Sequence, residues 1–209
     1  RPDVPEKLKV DYETIKKYNP KLIYCDNTAW GRSGPDSHRP GYDLIAQAMS
    51  GLMAAENKVN NGVPQQIQST AVADYTTGLG MAWSICAALY HREKTGKGQK
   101  IETTLLASAL SVQNGRFFES ETFDSELRSE FKNLLSEMRE SGESYDNILE
   151  KYQKLSNKTV HNHYYRTYQA KDGIIAVACL SETLRKKFAD VHKVHDIRFK
   201  ENYDPYSDE

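Results

Sequence analysis

Apolar side chains recur along the chain with two different periods, and the breaks between them outline its elements. From Tyr42 to Ala55, the positions Leu44, Ile45, Ala48, Leu52 and Met53 follow helical spacing, which predicts a helix. The stretch from Ala73 to Lys94 is apolar nearly all round, with Leu79, Met81, Ala82, Trp83, Ile85, Cys86, Ala87, Ala88 and Leu89. A helix of that kind is normally buried. Thr95-Gly-Lys-Gly98 stops it, Gln99 to Leu106 reads as a strand, and Ala107 to Phe118 reads as a further helix. Nearer the start, Asp11 is placed to cap a short helix that Asn19-Pro20 ends, because the residue before proline avoids helical angles. Lys21 to Cys25 has the length of a strand, and Trp30 to Asp36 is a loop broken by two glycines and a proline. Lys58 to Pro64 reads as a polar loop. Helix, strand and glycine-rich loop in succession are the rhythm of an α/β domain with parallel strands.

The pattern changes at Glu119. From there to Lys158 the chain is rich in Glu, Lys, Ser and Asn, yet Leu127, Phe131, Leu134, Leu135 and Met138 keep helical spacing. Ile148, Leu149 and Tyr152 resume it after Gly142, so this stretch reads as exposed amphipathic helices forming a linker. His163 to Gln169 and Ile174 to Leu180 flank Asp172-Gly173, a strong hairpin signal, and Glu182 to Val191 is a short helix. The division expected is residues 1–118 as part of a large domain, 119–160 as a helical linker or insertion, and 161–209 as the start of a small domain.

A formal net charge of −1 argues against a nucleic-acid partner. The longest apolar stretch, Gly78 to Tyr90, is too short to span a bilayer, so no membrane is expected either. Three separated cysteines (Cys25, Cys86, Cys179) suit a reduced cytoplasm and build neither a disulfide framework nor a zinc site. The opening Arg-Pro-Asp without Met, and the acidic tail, read as a fragment of a longer polypeptide.

Three places can carry chemistry. Asp74 stands at the mouth of the most apolar helix; capping is the commoner role for an aspartate there, and attack on an activated acyl group is the other. Arg32, His38, Arg39 and Tyr42 lie in and after the glycine-rich loop, where arginines either meet phosphates or stay solvated on the surface. His161 and His163 share a strand face, but no Asp, Glu or Cys nearby completes a metal site, and a structural or surface role is expected for them. Neither a P-loop nor a Gly-x-Gly-x-x-Gly, Gly-x-Ser-x-Gly or His-Glu-x-x-His motif occurs.

Several segments together resemble one family: Arg1-Pro2, Asp11-Tyr-Glu-Thr-Ile15, Asn19-Pro-Lys-Leu-Ile-Tyr24, Arg39-Pro-Gly-Tyr-Asp-Leu-Ile-Ala-Gln-Ala-Met-Ser-Gly51, Ala73-Asp-Tyr-Thr-Thr-Gly78, His91-Arg-Glu-Lys-Thr-Gly-Lys-Gly-Gln-Lys100, and Tyr164-Tyr-Arg-Thr-Tyr-Gln-Ala-Lys-Asp-Gly173 with Ile175 to Leu180. These are similar to the CaiB/BaiF class III CoA-transferases, which include formyl-CoA transferase and α-methylacyl-CoA racemase. The resemblance implies part of a Rossmann-like large domain, a helical linker, the start of a small α/β domain, and an interlocked homodimer. It implies coenzyme A and acyl-CoA as substrates, a carboxylic acid as acceptor, no metal, and a cytoplasmic enzyme. Asp74 falls at the position of the family's nucleophilic aspartate, where the helix N-terminus is expected to favour the ionised form and to offer N–H groups to an oxyanion. Tyr42 stands in the substrate site where the racemase branch has a histidine base, which favours transfer over racemisation. Lys7 and Leu8 fall at the adenosine end of CoA, and Arg39 near a second basic position. The strand–loop–helix that precedes these segments in the family, and the glycine-rich lid of its small domain, are not seen in this sequence. Racemisation on the same fold and a non-catalytic interaction domain are the alternatives.

Overall fold

Residues 2–56, 58–113, 125–156 and 163–200 are described by the computed structural model, and the chain separates into two units, residues 1–155 and 156–209. The first unit opens with two single-turn helices, α1 (Val4–Lys7) and α2 (Tyr12–Ile15). Asp11 caps α2, its carboxylate accepting the Thr14 N–H at 3.0 Å. Strand β1 (Ile23–Thr28) follows, then α3 (Asp43–Met49), α4 (Leu52–Ala55), the small hairpin β2 (Val59–Asn60) and β3 (Val63–Pro64), and the long helix α5 (Val72–Thr95). Strand β4 (Gln99–Thr104) runs directly into α6 (Leu105–Ser111). β1 and β4 pair in parallel, from Ile23 opposite Gln99 to Thr28 opposite Thr104. Parallel neighbours need a long crossover, and here it carries α3, α4 and α5. The chain is thus the α/β protein with parallel strands that its sequence suggests.

Small side chains set how closely these elements approach. Ala46 of α3, Ala73 of α5, and Leu105 and Ala109 of α6 form one buried cluster, with Ala29 packed against it. Ala29 follows the last residue of β1 and Leu105 follows the last residue of β4, so the cluster lies at the carboxyl ends of both strands. That edge of a parallel sheet is where α/β proteins commonly place ligands. The Leu106 N–H donates to the Ala29 carbonyl at 3.2 Å, and the buried Gln113 amide donates to Ser50 O at 2.8 Å, tying α6 to β1 and to the α3–α4 corner.

Three expectations are corrected. The single helix from Tyr42 to Ala55 is two helices, because Gly51 adopts φ +79°, a left-handed conformation that breaks the ladder. The expected loop from Lys58 to Pro64 is a hairpin, its turn made by Asn61 and Gly62 with φ 52° and 77°; an Asn-Gly pair is a hairpin signal in its own right. The expected burial of the long helix holds on one face only. Ala73, Thr77 and Ala88 are buried, whereas Tyr75, Leu79, Trp83 and Tyr90 form an exposed stripe, with Trp83 75% exposed. The described residues give α5 neighbours along the alanine face and leave the aromatic stripe bare. None of their helices is long and apolar enough to cross a membrane.

Within 119–160 the described residues form α7 (Ser125–Glu140) and α8 (Tyr145–Ser156), separated around Gly142. Phe131 and Tyr152 meet ring to ring at 4.8 Å, so the two amphipathic faces touch. The second unit holds the antiparallel pair β5 (Tyr165–Gln169) and β6 (Ile174–Ala178), joined at Asp172-Gly173, and α9 (Glu182–His192), capped by Ser181. Tyr164 is its buried centre. It packs against Phe188 at 5.7 Å between ring centroids, and its hydroxyl donates to Asp196. Arg198 donates to both oxygens of Asp196 at 2.8 and 2.7 Å.

Candidate active site

The loop after β1 folds back on itself to deliver α3. The Trp30 indole N–H donates to Pro40 O at 3.3 Å, and Gly41 passes so close to Ala29 that a Cβ on it would lie 2.3 Å from the alanine Cβ. Only glycine permits that approach. Tyr42 and Asp43 are thereby set at the start of α3, against the cluster at the strand ends.

Helix α5 begins at Val72 with Ala71 in the capping position, where no side chain can accept a hydrogen bond. The first N–H groups of a helix have no partner within it. Asp43, from the neighbouring helix, fills the gap: its Oδ1 accepts the Ala73 N–H at 2.7 Å and the Asp74 N–H at 3.3 Å. Its Oδ2 accepts from the Gln47 amide at 2.6 Å. Gln47 is fully buried, and its Oε1 in turn accepts the Ile67 N–H at 2.8 Å. A polar chain therefore runs from Ile67 through Gln47 and Asp43 to the first turn of α5, inside an otherwise apolar cluster.

Asp74 is the third residue of α5, not its cap. Its side chain reaches solvent and, among the described residues, takes part in no hydrogen bond or ion pair. Its carboxyl is raised from its ordinary pKa, first by desolvation from the surrounding chain and then by the negative charge of Asp43. This reverses the expectation that the helix N-terminus favours the ionised form. The N–H groups of Ala73 and Asp74 are also taken by Asp43, so they are not free donors for an oxyanion.

The other candidates are spread out. Tyr42 precedes α3 and is 75% exposed. Lys7 ends α1 and pairs with Asp3, while Leu8 beside it is 65% exposed. Arg39 pairs with Asp36 at 2.8 Å in the loop. Neither Lys7 nor Arg39 bonds to Asp74. Arg32 is committed internally: it grips Asp26 of β1 through Nε at 2.5 Å and Nη2 at 2.9 Å, reaches Glu6 at 3.0 Å, and donates to the Pro2 carbonyl. It ties the loop to β1 and α1 and is not placed to meet a phosphate. His161 lies outside the described residues; His163 is exposed at the edge of a 760 Å³ cavity in the second unit, lined also by Tyr164, Tyr168, Phe188 and His192. Among the described residues no group of three or more His, Cys, Asp or Glu could hold a metal ion.

Asp43 and Gln47 are the residues that sequence reasoning passed over. Two signals were available: their i, i+4 spacing, and a long helix opening on Ser-Thr-Ala-Val-Ala-Asp whose capping position is an alanine.

The family model described as CoA-transferase family III matches residues 1–207. The chain belongs to CoA-transferase family III. It is 31% identical to acetyl-CoA:oxalate CoA-transferase of Acetobacter aceti, over 98% of this chain and 47% of that protein. It is 44% identical to mouse succinyl-CoA:glutarate CoA-transferase over 52% of this chain and 25% of that protein. The chain thus spans about half the length, or less, of the curated relatives it matches. A CaiB/BaiF family protein from Brucella suis has a similar structure, with a TM-score of 0.54 and 26% identity, covering 95% of this chain and 45% of that one. The fold also matches a mutant of Rv3272 from Mycobacterium tuberculosis at a TM-score of 0.68 and 23% identity, with the same coverage.

Proposed function

We propose that this family III chain carries the nucleophile of a CoA-transferase, and that Asp74 is that nucleophile. The observation that carries the reading is the state of Asp74: an exposed carboxylate in the first turn of α5, with a second carboxylate beside it and, among the described residues, no cation bound to it. An unpaired carboxylate keeps its lone pairs available, and one whose basicity is raised is a better nucleophile once ionised.

The steps balance as acyl exchanges. An oxygen of Asp74 attacks the carbonyl carbon of the donor acyl-CoA; the C–S bond breaks, and CoA leaves as thiolate with a mixed anhydride formed on Asp74. The thiolate then attacks the aspartyl carbonyl, releasing the donor carboxylate and leaving an aspartyl-CoA thioester. The acceptor carboxylate attacks that thioester, expels CoA thiolate and gives a new mixed anhydride. Attack of the thiolate on the acceptor's acyl carbon yields the new acyl-CoA and returns the Asp74 carboxylate. Each step replaces one hard transfer with an exchange between activated acyl groups.

Tyr42, exposed at the entrance to α3, is the residue of this reading that faces substrate, and its phenol is a poor base for racemisation. Lys7, Leu8 and Arg39 are assigned to CoA. All three are solvent-accessible, and the two cations hold exposed ion pairs of the kind that contributes little and is readily exchanged for a phosphate. A cytoplasmic homodimer in which the small unit begins near residue 161 completes the proposal; the bare stripe of Tyr75, Leu79, Trp83 and Tyr90 supports a further protein surface against α5. The test is exchange of radiolabelled CoA between an acyl-CoA and a free dicarboxylate by the full-length protein. Exchange is expected, with loss of at least about 10³-fold in Asp74→Ala. Full exchange by that variant would refute the assignment.

A further inference from the structure

We infer that Asp43 is the positioning residue for Asp74: its carboxylate clamps the backbone from which the nucleophile projects and sets the charge that the nucleophile faces. The inference rests on the reading of Asp74 as nucleophile.

α5 has no side-chain cap from its own capping residue, and two of the N–H groups at its start, those of Ala73 and Asp74, find the same oxygen of Asp43. That oxygen cannot drift, because the other one is bonded to Gln47, and Gln47 is buried and bonded to the backbone at Ile67. Ala73, immediately before the nucleophile, is itself fully buried. The main chain at Asp74 is therefore held from both sides while its side chain stays free. This is the arrangement a nucleophile requires, since a reacting group that strays by about 1 Å can lose about 10²-fold in rate.

Asp43 is the one charged residue of α3, and α6 carries none. On the strands packed nearby, Lys100 pairs with Glu102, and Asp26 with Arg32. Among the described residues no cation offsets the repulsion between Asp43 and an ionised Asp74. When Asp74 attacks an acyl carbon its negative charge passes to the leaving thiolate, so the repulsion present before reaction is relieved as the bond forms. An interaction that opposes the ground state more than the transition state accelerates the step.

The experiment compares Asp43→Ala and Asp43→Asn with the unsubstituted full-length protein. Three quantities are read: the single-turnover rate at which hydroxylamine traps Asp74 in the presence of acyl-CoA, the pH midpoint of that rate, and KM for the acyl-CoA. Asp43→Ala removes both clamp and charge and is expected to slow trapping by about 10²-fold. Asp43→Asn keeps an oxygen for the two N–H groups but removes the charge; it is expected to recover about 10-fold of that loss and to move the midpoint to lower pH. KM should stay within about twofold in both variants. A role confined to folding would lower the amount of active protein and leave the midpoint where it was. Trapping by both variants at the unsubstituted rate with an unmoved midpoint overturns the inference, as does a loss confined to the unfolded fraction in a thermal melt. Should Asp43→Ala not fold, Asp43→Asn alone decides through its midpoint. If the unsubstituted protein transfers CoA with no label at Asp74, the nucleophile assignment itself fails, and the inference with it.

Discussion

Asp196 and Asp74 are two aspartates in opposite surroundings. Asp196, in the second unit, has a side chain that is 6% exposed, and every direction from it is taken: Arg198 holds both oxygens and the Tyr164 hydroxyl donates to it. Its pKa lies far below the ordinary carboxylate range, chiefly because of Arg198. Asp74, in the first unit, is solvent-accessible, takes part in no hydrogen bond or ion pair among the described residues, and is pushed the other way by desolvation and Asp43. A saturated carboxylate has no lone pair left for an electrophile and serves to hold structure. A bare one beside a like charge is poor at holding anything and suited to attack. The partners, more than the residue type, separate scaffold from chemistry.

That contrast can be broken at either end. The largest effect is expected from Asp74→Asn, which should remove at least about 10³-fold of transfer without lowering the urea midpoint. Next is Tyr164→Ala, which empties the centre of the second unit and should cost about 3–5 kcal/mol, read as a lower midpoint of that unit's unfolding transition. Asp196→Asn should have a smaller cost of about 1–3 kcal/mol, because Arg198 and Tyr164 lose their acceptor. It also tests a pH dependence whose sign follows from the depressed pKa. Ionised Asp196 contributes stability that is complete above the unfolded-state carboxylate value and is lost as pH falls through the folded one. Unfolding midpoints measured from neutral to acid pH should therefore drop steeply in the parent protein and less steeply in Asp196→Asn. Tyr164→Phe is the mildest change, about 1 kcal/mol, since it removes one hydrogen bond and keeps the ring. For Asp74 the sign is reversed. Its raised pKa means that the fold favours the protonated form, so transfer should rise with pH through a midpoint shifted upward from the ordinary aspartate value.

Much of this was legible in the residues. The parallel α/β rhythm, the cap at Asp11, the hairpin about Asp172-Gly173 and the long helix ending before Gly96 all follow from local signals, and local hydrogen bonds make them. The place of Asp74 at the start of that helix was legible too. What escaped was non-local. Asp43 caps a helix that begins about thirty residues later, and no periodicity within either segment reports an acceptor arriving from the other. The division at Gly51 was overridden by an apolar spacing that fits one helix as well as two. The apolar circumference of α5 speaks of contacts that the described residues supply on one face only. Arg32 was open between a phosphate contact and a solvated surface charge, and only the fold brings it to Asp26.

The central claim, that Asp74 takes the acyl group covalently, has one direct measurement. Full-length protein is mixed with acyl-CoA and quenched with hydroxylamine, and the peptide spanning Val72 to Thr95 is sequenced by mass spectrometry. A hydroxamate at Asp74, formed only when acyl-CoA is present and absent in Asp74→Asn, is the result predicted. Turnover with an unmodified Asp74, or with the modification on another residue, would contradict the account.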